Sequence, residues 1–482
     1  MPYHLSRVHH RPVVVAVLAA ALVAACATNP ATGKKELILV SEDQEIQMGQ
    51  AEAKRTISQL GAYTDSELQS YVSTIGMKLA AASERPQLPW TFTIVDDPQV
   101  NAFALPGGPI FITRGILAHM GSEAELAGVL GHEIGHVTAR HSASQMSRAQ
   151  LAQIGLGLGT VLRPDLAQFA GLASTGLQVL FLKYGRDDES EADMLGFRYS
   201  VRTNYDPHAM LDLFRMLQGV EVLAGQGRVP GWLTTHPFPE DRLSQTEERL
   251  ASTQADYSSM VTNRDAFRQR LDGIVYGDDP RLGYFDGQAF YHPELKFQLV
   301  FPQGWATRNG VSAVTGISAK EDAIVQLGLA GSEPPRDQLQ KFLAQEGVQA
   351  GQTSNASING LPAATARFSA STQQGQVQGR VGFIQLGGRT YSLIGYAGAE
   401  QAPGYDETFR QWMGSFRALT DANRLNVQPA RVRIVKVPSA MTLAEFNRRY
   451  PSSIPIERLA LLNGVAADGR LEAGSLAKRV VK

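Results

Sequence analysis

Two histidines, His132 and His136, stand four residues apart in an apolar stretch, and they can act together only if that stretch is helical. Ser122 and Glu125 just upstream form a capping box, which predicts a helix beginning there. On one helical face both imidazoles can reach the same metal ion, while Glu133, one step round, lies beside a water bound to that ion. Catalytic zinc usually has three protein ligands and an open position for this water. The motif therefore predicts a zinc site that needs one more ligand.

A second motif downstream supplies the missing ligand. Glu189 and Asp193 are four residues apart, so on a helix they share a face. One carboxylate can bind zinc while the other accepts an imidazole N–H and orients a ligand. We therefore predict one Zn2+ per chain on His132, His136 and Glu189, with Asp193 behind the ligands. Glu191 projects away from this face and is expected to be solvated.

Simpler interpretations of both motifs exist. The first motif could be a helix with two exposed histidines and a salt-bridging glutamate, and the second a solvated acidic helix face. The metzincin class is excluded because Ala139 and Ser142 stand where it needs Gly and His. His141 is about half a turn out of phase with His132 on a continuous helix and is therefore expected to face away from the metal.

Charge and length limit the classes of function. The chain has 45 basic and 46 acidic residues among 482, with no long run of either sign. Nucleic acid is therefore not predicted as a partner. The length is too great for one hydrophobic core and predicts two or three domains.

The apolar stretch from Leu151 to Leu182 contains a glycine-rich segment but predicts neither a nucleotide site nor a membrane span. It does not fit a strand-to-helix phosphate motif, and Arg163-Pro164-Asp165 divides it into pieces too short to cross a bilayer. We interpret it as buried helices between the two zinc-binding helices, with a functional lid as the alternative.

The N-terminus has the composition of a secretion signal. A basic start precedes the apolar stretch Val13–Ala25, which is shorter than the roughly 20 residues needed to span a bilayer. The four residues ending at Cys26 resemble a bacterial lipobox, which implies a lipid on Cys26; an ordinary signal peptide cleaved nearby is the alternative. Cys26 is the only cysteine, so no intrachain disulfide can form. The residue after the cysteine is Ala27 and not the Asp that resembles an inner-membrane retention signal. This favours a lipoprotein of the cell envelope at the periplasmic face of the outer membrane.

Together with two further segments, these motifs give the chain a resemblance to a known family. From Ser41 to Leu250 it resembles the CAAX prenyl proteases, the HtpX-type stress proteases and their periplasmic, lipoprotein-like relatives in outer-membrane quality control. The segments that carry the resemblance are Asn101-Ala102-Phe103-Ala104-Leu105-Pro106-Gly107-Gly108, His132 to His136, Glu189 with Ala192-Asp193, and Thr235-His236-Pro237-Phe238-Pro239 with Arg242.

The resemblance implies a role for each matching residue. Glu133 is expected to act as general base and later as proton donor. His236 and Arg242 are expected near the oxyanion, and His236 also as a fourth zinc ligand in a self-inhibited resting state. An edge strand with which an extended substrate could pair is expected at Ala102, Phe103, Ala104 and Leu105. The sequence has no later membrane-spanning segment, so prenylated substrates are not implied.

The predicted fold class is α+β, with a mainly helical zincin-like metalloprotease domain and a small β-sheet, followed by two smaller α/β accessory domains. Helices are expected to start at two further capping boxes, Ser41 with Gln44 and Thr64 with Glu67. A hairpin is expected around Pro106–Pro109. The predicted segments are a signal peptide (1–25), a lipid-anchored tether (26–40), the metalloprotease domain (41–277), an α+β accessory domain (278–420), a linker (421–429) and a LysM-like domain (430–482).

The LysM-like tail implies binding to glycan or peptidoglycan, although Ser439-Ala440 stands where Gly-Asp is usual. The whole sequence predicts a zinc-dependent endopeptidase acting on envelope polypeptides. The alternative is a non-proteolytic periplasmic chaperone or assembly factor that binds the cell wall and uses zinc only for structure. Glu133 separates these two, because a structural site has no use for a base beside an open coordination position.

Overall fold

The structure is a computed structural model that describes residues 26–150, 184–224, 232, 236, 241–253, 255–310, 312–372 and 375–482. The predicted signal peptide, the stretch Leu151–Leu182 and most of the segment Trp232–Pro239 lie outside the described residues. The chain forms two compact units. The first comprises Met1–Ile57, Ala62–Ile274 and Arg431–Val481, and the second comprises Ser58–Gly61, Val275–Ala430 and Lys482.

The first unit is mainly helical. Its helices are α1 (Glu42–Leu60), α2 (Ser66–Ala81), α3 (Arg114–His119), α4 (Glu123–Thr138), α5 (Arg186–Arg202), α6 (Ala209–Ala224), α7 (Arg242–Ser252) and α8 (Arg264–Arg270). Its strands before the second unit are β1 (Cys26–Thr28), β2 (Lys35–Leu37), β3 (Thr91–Val95), β4 (Ala102–Ala104) and β5 (Pro109–Thr113). Residues 141–150 are also helical.

A small sheet of β3, β5 and β4, in that order, packs beside α4. β3 and β5 are parallel, whereas β4 and β5 are antiparallel and form the predicted hairpin. Gly107 in the turn has φ 76°, and a Cβ there would lie 2.5 Å from the Cα of Ile46. This close approach of α1 requires a glycine.

One of the three predicted capping boxes is confirmed: Ser41 exchanges hydrogen bonds with Gln44 at the start of α1. Ser122 is the N-cap of α4 and accepts the Glu125 N–H, but the Glu125 carboxylate accepts from the Gly121 N–H and the Ser122 hydroxyl, so this pair is not a reciprocal box. The third prediction is wrong: the carboxylate of Asp65 caps α2 by accepting the N–H of Leu68. Aspartate is as good an N-cap as threonine, so composition alone could not separate the two adjacent positions.

Small residues allow α4 and α5 to approach each other closely. A Cβ on Gly196 would lie 2.9 Å from the backbone nitrogen of His132, and one on Gly131 would lie 3.1 Å from the Cα of Gly196. A Cβ on Gly135 would lie 3.1 Å from the carbonyl oxygen of Ala192. This backbone contact brings the two predicted zinc-binding segments together.

The second unit consists of β-sheets covered by helices. A seven-stranded antiparallel sheet has the order β12, β13, β14, β15, β11, β10, β9, and a four-stranded one has the order β16, β8, β7, β6. The strands are β6 (Tyr284–Asp286), β7 (Ala289–His292), β8 (Phe297–Val300), β9 (Ala306–Asn309), β10 (Ala313–Ile317), β11 (Ala323–Gly331), β12 (Val348–Ile358), β13 (Leu361–Thr372), β14 (Gly375–Leu386), β15 (Arg389–Gly398) and β16 (Arg417–Ala418). The helices are α9 (Pro335–Leu343), α10 (Ala402–Gly414) and α11 (Ala422–Leu425).

The tail, Arg431–Val481, belongs to the same compact unit as Ala62–Ile274. It contains β17 (Arg431–Lys436), β18 (Met441–Thr442), α12 (Leu443–Arg449), α13 (Ile456–Asn463), β19 (Arg470–Leu471) and β20 (Leu476–Val481), with β17 antiparallel to β20. The chain thus mixes helices and sheets as predicted, whereas the division into successive domains and the LysM-like assignment stay predictions. Among the described helices, none has the length and apolar character needed to span a membrane.

Candidate metal centre

Four buried side chains converge at the contact between α4 and α5. The Nε2 atoms of His132 and His136 are 3.0 Å apart, and the Glu189 carboxylate lies 3.5 Å and 3.4 Å from them. His236, from the segment before α7, places Nδ1 2.9 Å from Glu189 Oε1 and 3.4 Å from His132 Nε2. One ligand atom from each of the four lies within 4.8 Å of the others. The arrangement can hold one metal ion.

Asp193 and Arg242 stand behind the ligand atoms. Asp193 Oδ1 accepts a hydrogen bond from His132 Nδ1 at 2.9 Å, which leaves Nε2 for a metal. Arg242 donates to both oxygens of Asp193, at 2.7 and 2.5 Å, and its Nη1 lies 3.3 Å from Glu189. The guanidinium also stacks over the Phe214 ring at 4.5 Å. Asp193 therefore joins His132 to Arg242, and Arg242 is held by two carboxylates.

Glu133 differs from the other carboxylates of the site. It is completely buried, and neither of its oxygens has a hydrogen-bond partner among the described residues. The nearest ionisable group is His236, whose Nε2 lies 3.5 Å from Glu133 Oε1 and also has no hydrogen-bond partner in the described part of the chain. Buried carboxylates are rarely left unpaired, so Glu133 is placed to meet a group from outside the protein.

The charges of the site fit a divalent cation. Glu133, Glu189 and Asp193 bring a formal charge of −3 and Arg242 brings +1, so with neutral histidines the buried cluster carries −2. Burying uncompensated charge is strongly unfavourable, and a divalent ion would balance it. Two imidazoles and a carboxylate are also the donor set of catalytic zinc. The residues present therefore fit zinc.

The pKa directions separate Glu133 from its neighbours. Burial raises the pKa of Glu133, although the charges of His236 and His132 oppose the shift. Burial would raise the pKa of Glu189 too, but His236 and His136 outweigh it and the pKa falls well below the usual range. The pKa of Asp193 is lowered as well, because Arg242 outweighs burial.

Two aromatic rings enclose the histidines, and the sequence motifs did not identify them as part of the site. Tyr184 stacks on His136 at 3.9 Å between ring centroids. Trp232 stacks on His236 at 4.3 Å and lies 5.4 Å from His132. Trp232 stands shortly before His236, and Tyr184 directly precedes Gly185, the N-cap of α5. This nearness in the sequence is the one signal that could have pointed to the two rings.

The structure corrects the expectation for His141. Its Nδ1 lies 2.9 Å from Nδ1 of His136, and the residue is only 3% exposed. The expectation assumed a continuous helix, but α4 ends at Thr138 and Arg140 adopts φ 61°, a left-handed conformation typical of a helix terminus. The chain turns there, so His141 faces the site.

Glu191 is also placed differently from the expectation. Instead of being solvated, its side chain is 12% exposed. It accepts a hydrogen bond from Asn29 Nδ2 at 2.9 Å and lies 3.7 Å from His141 Nε2. The N-terminal hairpin covers this side of α5, because Asn29 and Lys34 both contact Glu191.

The predicted edge strand lies at the border of the small sheet. β4 pairs with β5 on one side and is one of the two outer strands of this sheet among the described residues. The Trp232 N–H donates to the carbonyl of Val100 just before β4, at 3.1 Å. The four predicted residues are buried: Ala102, Phe103, Ala104 and Leu105.

A helix with two histidines and an unpaired glutamate, closed by a carboxylate from a second helix, is the centre of a metal-dependent peptidase. In agreement, residues 66–250 match the profile described as Peptidase family M48. The chain therefore carries an M48 domain and is homologous to M48 metalloendopeptidases.

Similar proteins include bacterial and mitochondrial peptidases. The "Beta-barrel assembly-enhancing protease" of Yersinia pestis is 32% identical over 52% of this chain and 53% of its own length. The "Putative beta-barrel assembly-enhancing protease" of Vibrio cholerae is 34% identical over 43% and 44%. The "Mitochondrial metalloendopeptidase OMA1" of Schizosaccharomyces pombe is 32% identical over 47% and 66%. The chain spans about half the length of the bacterial relatives it matches.

Among solved structures, cyanobacterial PsbP from Synechocystis sp. PCC 6803 has 13% identity and a TM-score of 0.24. The match covers 28% of this chain and 98% of that one. Similarity at this level assigns neither a fold nor a function.

Proposed function

We propose that this protein is a zinc-dependent endopeptidase of the cell envelope that hydrolyses internal peptide bonds of envelope proteins, including misfolded or unassembled ones. The names of the bacterial relatives support an envelope protease, and the M48 domain supports the chemistry. The observation that carries the proposal is Glu133, a buried carboxylate that has no hydrogen-bond partner in the described part of the chain and lies beside a cluster of histidines and a glutamate.

His132, His136 and Glu189 would hold zinc in this proposal, and Asp193 would fix the tautomer of His132 through its hydrogen bond. Bound zinc supplies Lewis acidity, which acidifies a water molecule and polarises a peptide carbonyl. Glu133 accepts the proton of the attacking water and later donates it to the leaving amine. The carboxylate oxygens of Glu133 support this role, because no described residue forms a hydrogen bond with them.

His236 and Arg242 have proposed roles around the carbonyl oxygen. In the resting state His236 would contribute a fourth ligand atom through Nδ1, which lies among the other three. During turnover it would leave this position; donation from His236 to the oxyanion is the alternative role. Arg242 supports the site from behind, because its guanidinium is bound to Asp193 and lies beside Glu189.

The substrate would bind as an added strand. Ala102, Phe103, Ala104 and Leu105 form or follow β4, whose backbone lies at the border of the sheet next to α4. An extended peptide can pair with such an edge through main-chain hydrogen bonds. The backbone N–H of Trp232 donates to the carbonyl of Val100 just before β4, and the Trp232 ring stacks on His236. These two contacts support a substrate site that runs from this edge to the metal.

The proposed location is the periplasmic face of the outer membrane. A lipid on Cys26 would anchor the chain, and the tail would bind peptidoglycan. The lipobox-like sequence and the LysM-like pattern support these two proposals.

A non-proteolytic chaperone with structural zinc is the second candidate. It is favoured by the complete burial of His236, because a closed site with four protein ligands is typical of structural zinc. Glu133 favours the peptidase, since a structural site with four ligands does not need a further buried carboxylate that has no hydrogen-bond partner among the described residues.

Glu133→Gln tests the proposal. The amide fits the same space but cannot accept the proton, so casein cleavage should fall by about a hundredfold or more while zinc content is kept. Glu221→Gln, an exposed position on α6, is the matched control and should cleave like the wild type. Undiminished cleavage by the Glu133 variant would exclude the mechanism. An inactive wild type that needs zinc only to fold would favour the chaperone.

A further inference from the structure

A row of polar contacts leads from His136 to the N-terminal hairpin of β1 and β2, and the proposed reaction uses none of it. His136 Nδ1 meets His141 Nδ1 at 2.9 Å. His141 Nε2 lies 3.7 Å from Glu191, and Glu191 accepts a hydrogen bond from Asn29 Nδ2 at 2.9 Å. Three residues far apart in sequence thus stand in line behind one predicted zinc ligand.

The proton positions in this row follow from zinc binding. If His136 binds zinc through Nε2, its Nδ1 carries the proton and must donate it to a hydrogen-bond acceptor. The acceptor is His141 Nδ1, so His141 carries its own proton on Nε2. That N–H faces the Glu191 carboxylate, which favours this tautomer electrostatically. Asp188, whose carboxylate is 4.0 Å from His141 Nε2, adds to the same effect.

Asn29 fixes the far end of the row. It is fully buried, and its side-chain oxygen accepts the backbone N–H groups of Ala31 and Thr32. Its amide nitrogen is therefore directed at two carboxylates, Glu36 at 2.7 Å and Glu191 at 2.9 Å. The amide cannot turn round without losing all four contacts, so the position of Glu191 depends on the docking of the hairpin.

We propose that Asn29, Glu191 and His141, here called the His141 relay, are positioning residues that orient His136, so that the zinc affinity of the site depends on the docked N-terminal hairpin. This rests on the proposed zinc site. Such supporting contacts typically change metal affinity by about 10 to 100-fold when they are lost.

The relay has a consequence for an anchored protein. Asn29 follows Cys26 by three residues, which span about 10 Å in an extended strand. Under the proposed lipidation, the attachment point therefore lies beside the first member of the relay. Release of the hairpin from α5 would then weaken zinc binding and leave the catalytic unit attached through a longer, undocked tether.

The test measures zinc affinity by competition with a chromogenic chelator, with every variant made in a Glu133→Gln parent. His141→Leu removes the acceptor for His136 and should bind zinc at least tenfold more weakly. His141→Asn keeps an acceptor at the position of Nδ1 and should restore most of the affinity. Glu191→Gln should weaken binding, whereas Asp187→Asn, an exposed acid in the first turn of α5, should not.

Asn29→Asp tests the hairpin directly. The variant keeps the acceptor for Ala31 and Thr32 but replaces the donor with a third carboxylate beside Glu36 and Glu191. Zinc affinity should fall about tenfold, with the melting temperature of the zinc-free protein as the check on folding. The relay is overturned if Asn29→Asp or His141→Leu binds zinc with the affinity of the Glu133→Gln parent. It is also overturned if His141→Leu and His141→Asn bind zinc equally weakly. This test measures zinc affinity and not peptide cleavage. A wild type without peptidase activity would therefore contradict the proposed function but not the relay.

Discussion

His236 lies at the centre of the candidate site. Its Nδ1 lies against Glu189 and His132, its Nε2 faces Glu133, and Trp232 stacks on its ring. One imidazole thus occupies the space between the predicted ligands and the predicted base. Since a substrate carbonyl and a water need that same space, the described arrangement suits a resting state.

We predict that His236→Ala binds zinc more weakly but cleaves casein at least as fast as the wild type. Removing the imidazole deletes one ligand atom but also opens the site to substrate. Zinc content and turnover should be measured together, with His208→Ala, whose side chain is exposed, as the control. Retained zinc with a roughly hundredfold loss of turnover would instead identify His236 as an oxyanion donor. No change in either quantity would make it a structural residue.

At the scale of elements, the packing of α4 against α5 determines the site. Helical spacing predicted which face of each helix carries the ligands, so His132, His136, Glu189 and Asp193 could be grouped from sequence. The helix end at Arg140 could not be predicted, because a non-glycine residue in the left-handed region leaves little signal. The hydrogen bond of Asn29 to α5 depends on tertiary packing, which no local pattern records.

Gly196→Ala should disrupt the site through this packing. Its Cβ would lie 2.9 Å from the backbone nitrogen of His132, so α5 must shift, at a cost of about 1 to 3 kcal/mol in the free energy of unfolding. The zinc content should also fall when α5 shifts, because Glu189 lies on α5. Gly128→Ala on α4 is the matched control, since its Cβ would meet the flexible Met210 side chain at 3.2 Å and Leu213 in ordinary contact at 4.0 Å, with no backbone atom in the way. Urea unfolding of both variants checks the prediction, and equal stability would contradict it.

At the scale of the whole molecule, the first unit is built from separate parts of the chain. Gly273 N–H donates to the carbonyl of Val432, and Val432 N–H donates to that of Ile274, so the chain leaves and re-enters this unit at one place. Composition changed sharply after residue 277, which suggested successive domains. Neither periodicity nor composition could indicate that Arg431–Val481 would return to the first unit, because those contacts are formed only on folding.

The best-defined contact of the returning tail is made by Lys478. Its ammonium group is fully buried and donates to the carbonyl of Ala118 at 2.8 Å and to that of Met120. These carbonyls stand at the end of α3, where a cation is favourable. Arg268 on α8 donates to the carbonyl of Leu476 in the same strand. The tail is therefore attached to the segment that leads into α4.

Lys478 should make the stability of this contact depend on pH. Burial, helped by the charge of Arg268 and opposed by Glu125, lowers the pKa of Lys478 from 10.5 to about 7. Burial also lowers the pKa of the neighbouring His119 to about 4, so this histidine does not titrate above pH 7. Between about pH 7 and 10.5 the unfolded chain holds a proton on Lys478 that the folded protein has released. The free energy of unfolding should therefore rise with pH there, by at most about 1.4 kcal/mol per pH unit.

Lys478→Met removes this titration, so the stability of the wild type relative to the variant should increase from pH 7 to pH 9. Urea unfolding at the two pH values measures the difference. Lys54→Met, at an exposed position on α1, is the matched control and should show no such change. A constant difference between the wild type and Lys478→Met would mean that Lys478 keeps its charge in the folded protein throughout this range. In that case the two carbonyls and Glu125 would have to offset the full cost of burying the ammonium group.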